Sequence, residues 1–324
     1  MSRSSLLLVL GSIALAACGR AALLQDPNGT WRVVAQAPAE VAAITAATQQ
    51  QAGIAAIVAC DGAALVAART AIAAEPALCE VRLFGVGGLA AAVPSPRETI
   101  VVEATAAEAA LELSLLACHG LAVPPRLHVG TRVVDAANAA AGGDMRPAPG
   151  DLALVMLRRE HPTVLTTRPD TDVIFPLAFV QWRADAWHDR VHEEFVAVVR
   201  RYPQVALTVY QAAGDVAQFT AAMQQCFDAN VRAVVIAADD WRALAPLVAA
   251  ADERRIARFG IDPHGAAAHV TCSLGADQEV LGRALGEAVR AQLPGGGALL
   301  EVGQCDAASL RQQGFVKVLG LQAK

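Results

Sequence analysis

The stretch from Pro176 to Leu207, PLAFVQWRADAWHDRVHEEFVAVVRRYPQVAL, constrains the fold more than any other. Residues 176–180 form an apolar run with no polar alternation, which is the pattern of a strand covered on both faces. A polar loop carrying Trp182 and Trp187 follows, and from Trp187 the apolar period changes. Trp187, Val191, Phe195 and Val198 or Val199 recur at helical spacing, with Arg190, Glu193, Glu194 and Arg200 elsewhere. Strand, loop and amphipathic helix in that order make the opening of a parallel α/β unit, and ligands bind such sheets at the C-terminal ends of their strands. A unit that opens more than half-way along the chain raises the question of what the first half is.

The first half has the same rhythm. WRVVAQ (31–36) reads as a strand, 40–51 as an alanine-rich helix, and IAAIVAC (54–60) as a strand ending at Asp61-Gly62. A helix over 63–74 follows, then strand VRLFGV (81–86) closed by Gly87-Gly88, a short strand TIVV (99–102), and a helix over 106–121. Residues 141–175 break the pattern: AGGDMRPAPGD is rich in Gly and Pro, 152–160 suits one short helix, and HPTVLTTRPDTD suits irregular chain. Beyond it strands are expected at 177–180, 206–210, 233–237, 256–261, 269–273 and 298–302. Helices are expected at 187–201, 215–229, 241–253, 277–292 and 307–318.

At the N-terminus, Arg3 precedes an apolar segment from Leu6 to Ala14 and the small-residue sequence Leu15-Ala16-Ala17-Cys18. This resembles the lipobox of bacterial lipoproteins, which implies lipidation of Cys18 and work outside the cytoplasm; an ordinary cleaved signal peptide is the plainer reading. Beyond that segment no apolar run reaches the roughly 18 residues of a membrane span. The 55% hydrophobic content is inflated by alanine, and a net charge of −5 with scattered basic residues offers no footprint for nucleic acid. Six cysteines besides Cys18 show no CxxC and no metal-type spacing.

Residues 176–324 resemble the first half of the ribose/galactose-type sugar-binding proteins of bacterial ABC transporters. The opening strand with its polar-aromatic loop, the Asp262 that follows a strand, and Arg311-Gln-Gln-Gly314-Phe315 carry the likeness. Residues 31–135 resemble the second half of that family, through the strand before Asp61, the glycine turn at 85–88 and the short strand before Glu103. The halves are present but exchanged, as in a circular permutation. The implied fold is α/β, a two-lobed type I periplasmic-binding-protein fold with parallel sheets, helices on both faces, and permuted order. The implied division is a signal peptide with lipobox at 1–18, a tether at 19–29, the family's C-terminal half at 30–140, a linker joining the ancestral termini at 141–175, and the N-terminal half at 176–324. One lobe would hold about 176–295 with 104–140, and the other about 296–324 with 29–103.

The resemblance also implies the ligand set. Trp187 aligns with a stacking aromatic and Trp182 lies on the same loop; core packing is the plainer reading of both. Asp61, Glu103, Asp185, Asp262 and Arg311 fall on polar positions of the family's site. Against that, Asp185 could cap the helix after it, Asp61 could be a turn residue, and Arg311 a solvated helix charge. The family commonly has Arg after the Asp at 262, where Pro263 and His264 stand, and Asp where Gly87 stands. Four acids against one arginine would suit a polyol, a small alcohol or amine, or a cation as well as a sugar.

His188 and His192 lie four apart on one helical face, a spacing known from zinc sites, but position 189 is Asp and no third ligand is evident. No nucleophile, base and orienter are readable, so neither catalysis, cofactor nor metal is expected. The function implied is capture of a small polar ligand by a monomeric, lipid-anchored periplasmic protein, its membrane contact through the lipid alone, and delivery to an ABC permease. The alternative is a sensor that signals to a membrane receptor or kinase. Finally, the family topology makes the strands ending at Cys60 and Cys305 neighbours, at a spacing of about 4.8 Å that is within disulfide reach.

Overall fold

A computed structural model describes residues 24–87, 95–103, 106–165, 174–238, 241–261, 269–303 and 310–323. In chain order the strands are β1 (Leu24–Gln25), β2 (Trp31–Ala37), β3 (Ile54–Ala59), β4 (Arg82–Val86), β5 (Glu98–Glu103), β6 (Arg126–Val129), β7 (Thr131–Asp135) and β8 (Asp144–Arg146). The second half adds β9 (Phe175–Gln181), β10 (Val205–Gln211), β11 (Ala233–Ala237), β12 (Ala257–Ile261), β13 (Cys272–Ala276), β14 (Gly297–Val302) and β15 (Gln322–Ala323). The helices are α1 (Val41–Gln50), α2 (Gly62–Ala74), α3 (Ala107–Cys118), α4 (Pro149–Glu160) and α5 (Pro162–Leu165). They continue with α6 (Ala186–Val199), α7 (Val216–Asp228), α8 (Trp241–Glu253), α9 (Gln278–Gln292) and α10 (Leu310–Leu319).

Two compact units result. One takes the chain up to Val102, then Arg132–Met145 and everything from Gln278; the other takes Glu103–Thr131 and Arg146–Asp277. The division differs from the expected lobes at two places. The last crossing falls at Asp277/Gln278 rather than near 295, because α9 packs along α10 of the first unit. Residues 132–140 also join the first unit, because β7 adds to its sheet while β6, one glycine earlier, adds to the other. The expected linker supplies an additional crossing at Met145/Arg146.

The second unit is built on a six-stranded sheet in the order β10-β9-β11-β12-β13-β6, every pair parallel. Leu177 and Phe179 of β9, with Val235 and Phe259, face a layer formed by α3 and α6. Their neighbours Ala178 and Val180, with Val234 and Ile236, face Phe219 and Met223 of α7 and Leu244 of α8. Burial of both faces is why residues 176–180 show no polar alternation. Beginning at β9, this is the doubly wound order in which the second strand lies outside the first and the rest follow on the other side.

Residues 141–165 are not featureless. Helix α4 begins with Pro149 at its first position, and the Asp151 carboxylate accepts from the Ala148 N–H at 2.7 Å. Arg158 of α4 donates through Nε to both carboxylate oxygens of Glu112 in α3, at 2.9 and 3.0 Å. Burial pushes the Glu112 carboxyl above its usual range and the Arg158 pairing opposes it. This ion pair, with Glu112 buried and Arg158 still exposed, fastens α4 to α3.

The first unit's sheet runs β15-β1-β2-β14-β3-β4-β5-β7-β8. Its centre, β2-β14-β3-β4-β5, repeats the order of the second unit if β14 counts as the first strand. Yet β14 is the next to last strand of the chain, while β2 and β3, parallel to it on either side, belong to the opening segment. The two described ends meet on the edge of the same sheet: Leu24 pairs with Ala323 and Gln25 with Gln322, antiparallel. The sheet is thus closed by strands from both extremes of the sequence.

Candidate functional site

The C-terminal ends of β9 and β10 are tied by Gln181. Its side chain, fully buried, donates to the Arg183 carbonyl at 2.9 Å and to Asp189 Oδ1 at 2.7 Å. This fixes the loop from Trp182 to Asp185. Asp185 caps α6: Oδ1 accepts from the N–H groups of Trp187 and His188, both at 3.0 Å, and lies 2.9 Å from the His188 ring Nδ1. Oδ2 accepts from Arg183 Nε at 2.7 Å. Burial works to raise the Asp185 carboxyl, but hydrogen bonds from the His188 backbone and ring, with Arg183, prevail and hold it below the usual range. Asp185→Ala is expected to cost about 1 kcal/mol, as for other N-caps, read as a lower midpoint in urea. Because the folded value is depressed, that contribution is present above the usual aspartate range and is lost as pH falls through the folded value; wild type and variant should converge in acid.

The two tryptophans part company. Trp187 is half-buried, edge-on to His188 with centroids 4.7 Å apart, and packs against the core beneath α6. Trp182 is 6% exposed and sits edge-on to Phe219 of α7 within the core. Its indole lies against that core cluster. His188 is buried, and His192 stacks on Phe179; among the described residues no three His, Cys, Asp or Glu side chains gather as for a metal.

In the first unit the C-terminal ends of β3 and β14 form a second polar cluster. Asp61 caps α2, accepting from the Ala64 N–H at 2.8 Å. Arg311, in the first turn of α10, donates through Nε to Gln278 Oε1 at 3.0 Å, through Nη2 to the same oxygen, and through Nη1 to the Cys60 carbonyl. Asp61 and Arg311 are therefore brought to one strand end, on either side of Cys60. The space among Val58, Cys60, Glu301, Arg311, Gln312 and Phe315 is about 10 Å³, room for one water and not for a sugar.

Glu301 is the residue that sequence reading passed over. It is 5% exposed and accepts from Gln36 at 2.6 Å, with Gln312 Nε2 at 3.4 Å. Burial pushes its carboxyl up, and the Gln36 hydrogen bond opposes this only in part. An acid inside the apolar strand GALLEV was the available signal. Glu103 closes β5, but its side chain, like Asp262, Cys18 and Cys305, lies outside the described residues. Strand β12 ends at Ile261, immediately before Asp262. Among the described residues no helix is long and apolar enough to cross a membrane.

The fold is α/β, with two largely parallel, helix-covered sheets whose C-terminal strand ends gather polar side chains, the place where such sheets hold ligands. Within it, residues 178–322 match the model of a family described as periplasmic binding protein domain. No curated protein matches the chain. Among solved structures, a solute-binding protein of an ABC transporter system from Conexibacter woesei is 12% identical, covering 86% of this chain and 81% of its own at a TM-score of 0.40. An ABC transporter solute-binding protein from Mycobacterium smegmatis, with bound glycerol, is 18% identical over 45% of this chain and 52% of its own, TM-score 0.37. The fructose-binding periplasmic domain of a hybrid two-component system is 20% identical over 45% of this chain and 49% of its own, TM-score 0.35. The chain spans about half the length of the last two.

Proposed function

We propose that this protein is an extracytoplasmic solute-binding lipoprotein, anchored through Cys18, that captures a small polar ligand such as a sugar or polyol and delivers it to an ABC permease. The observation that carries the reading is the match of residues 178–322 to the periplasmic binding protein domain family. The match begins inside β9 and ends at β15, so it takes in the whole second half of the chain. We read the first half as the family's other half in exchanged order; the central place of β14 between β2 and β3, and the pairing of Leu24 with Ala323, support that permutation. Residues 141–175 then join the ancestral ends. Ligand contacts are assigned to Asp61, Glu103, Asp185, Trp187, Asp262, Arg311 and Trp182. Closure of two lobes on the ligand, implied by the resemblance, belongs to the same proposal, as does action as a monomer without catalysis.

Thermal unfolding of the purified protein against sugars, polyols, short alcohols, amines and divalent cations tests this. A ligand at about a hundred times its dissociation constant stabilises the native state by about 2.7 kcal/mol. One compound should raise the melting temperature by several degrees, and Trp187→Ala and Arg311→Ala should each weaken its binding tenfold or more. A panel without any shift, or a shift that both variants retain, would sink the assignment.

A further inference from the structure

A cavity in the first unit lies at the other end of the strands from Asp61 and Arg311. It encloses about 670 Å³ beside the N-terminal ends of β4 and β5. That is within the range of about 300–1,000 Å³ typical of small-molecule sites. Its walls are Ile72, Val81 and Leu83, with Pro96 and Ala73 at the rim and the exposed thiol of Cys79 at the mouth.

Arg69 of α2 gives the cavity a polar anchor. Its Nε donates to Glu98 Oε1 at 2.6 Å, and Glu98 is 5% exposed, so the pair is held against the sheet. The Nη2 group of the same guanidinium is buried and has no hydrogen-bond partner. A buried donor without a partner has lost its hydration without compensation, and because Arg69 lines the cavity with its side chain 30% exposed, an acceptor entering beside it supplies the partner that Nη2 lacks. The charges around the cavity already cancel: Arg69 is paired with Glu98, and Arg97 at the rim with Glu80. An anion would enter without a counter-ion, whereas a neutral acceptor needs none.

We propose that this cavity binds a neutral, mainly apolar small molecule that carries one hydrogen-bond acceptor, such as a ketone or ester carbonyl, which Arg69 Nη2 engages. It is a second site, independent of the polar ligand proposed above and at the other end of the strands.

Cys79 supplies the readout, since Cys118, Cys226 and Cys272 are buried. The rate of Cys79 alkylation by N-ethylmaleimide would be followed by peptide mass spectrometry on the full-length protein, with 2-heptanone, heptanoate or no addition. At millimolar 2-heptanone the rate should fall at least threefold, heptanoate should do less, and Ala73→Phe, which fills the exposed rim, should abolish the protection without lowering the melting temperature. An unchanged rate, equal protection in Ala73→Phe, or stronger protection by heptanoate would overturn the proposal. Because none of these readings involves a sugar or polyol, failure here leaves the transport reading standing, and failure there leaves this one.

Discussion

Reduction of the disulfide at Cys60 is expected to remove about 3–5 kcal/mol of stability and to lower the melting temperature by on the order of 10 °C. Cys60 is disulfide-bonded, whereas Cys79, Cys118, Cys226 and Cys272 are free. The sequence reading pairs it with Cys305, which lies outside the described residues. The backbone favours that pairing: β14 runs parallel to β3, and the Cys60 N–H donates to the Val302 carbonyl at 3.0 Å, three residues before Cys305. The loop so closed exceeds the ~100 residues for which the chain-entropy estimate reaches about 4.7 kcal/mol. The bond would also stitch the opening segment of the chain to its closing one, where no peptide bond does so. Melting curves with and without dithiothreitol, for wild type and Cys60→Ser, make the check. Wild type should fall with reductant to the level of the variant, and the variant should not respond. Non-reducing peptide mapping that joins Cys60 to any cysteine but Cys305 would refute the pairing.

Most of the alternation of strand and helix was legible because it is written in local periodicity. Residues 176–180 and 233–237 are apolar throughout, since both faces of β9 and β11 are covered, and the expected elements agree with the observed ones to within a few residues. What escaped were short pieces: β1, β8, β15 and α5, and above all β6 and β7. RLHV and TRVVD are four and five residues long, only half-buried, and carry arginine, histidine and aspartate among their apolar positions. Their strand character comes from the two different sheets they join, on either side of Gly130, and no local pattern encodes that.

The site was less legible for a related reason. Trp182 on a strand-end loop has the look of a ligand-stacking residue; its burial is decided by Phe219, far along the chain on α7. Asp185 was open to two readings, and its cap is plain in the geometry, with both oxygens occupied. Glu301 was hidden because the partner that makes its burial tolerable, Gln36, lies at the other extreme of the sequence. Residues whose environment is assembled from distant segments are where periodicity stops informing, and a permuted order lengthens those distances.

Gly314→Ala and Gly282→Ala are each expected to destabilise the protein by about 3 kcal/mol, the upper end for forced overpacking. Helices α9 and α10 approach at glycine, backbone against backbone. A methyl group on Gly314 would collide with the Glu279 carbonyl and come within 2.9 Å of the Arg283 nitrogen. One on Gly282 would collide with the Arg311 carbonyl and lie 3.0 Å from the Phe315 nitrogen. Neither neighbour is a flexible side-chain tip, so relief requires α9 and α10 to move apart. Separation carries Arg311 with it and breaks its fork to Gln278 and Cys60. The glycine of the Arg311-Gln-Gln-Gly314 motif thus serves the same end as the arginine, by letting α10 lie close enough for Arg311 to reach the end of β3. The variants should therefore lose affinity for whichever ligand the thermal panel identifies as well as stability. Gly295→Ala, at a position where an added methyl meets nothing within 4 Å, should change neither. Urea midpoints and ligand titrations on the three variants distinguish the cases: if Gly314→Ala and Gly282→Ala unfold and bind like Gly295→Ala, the close approach of α9 and α10 is not what positions Arg311.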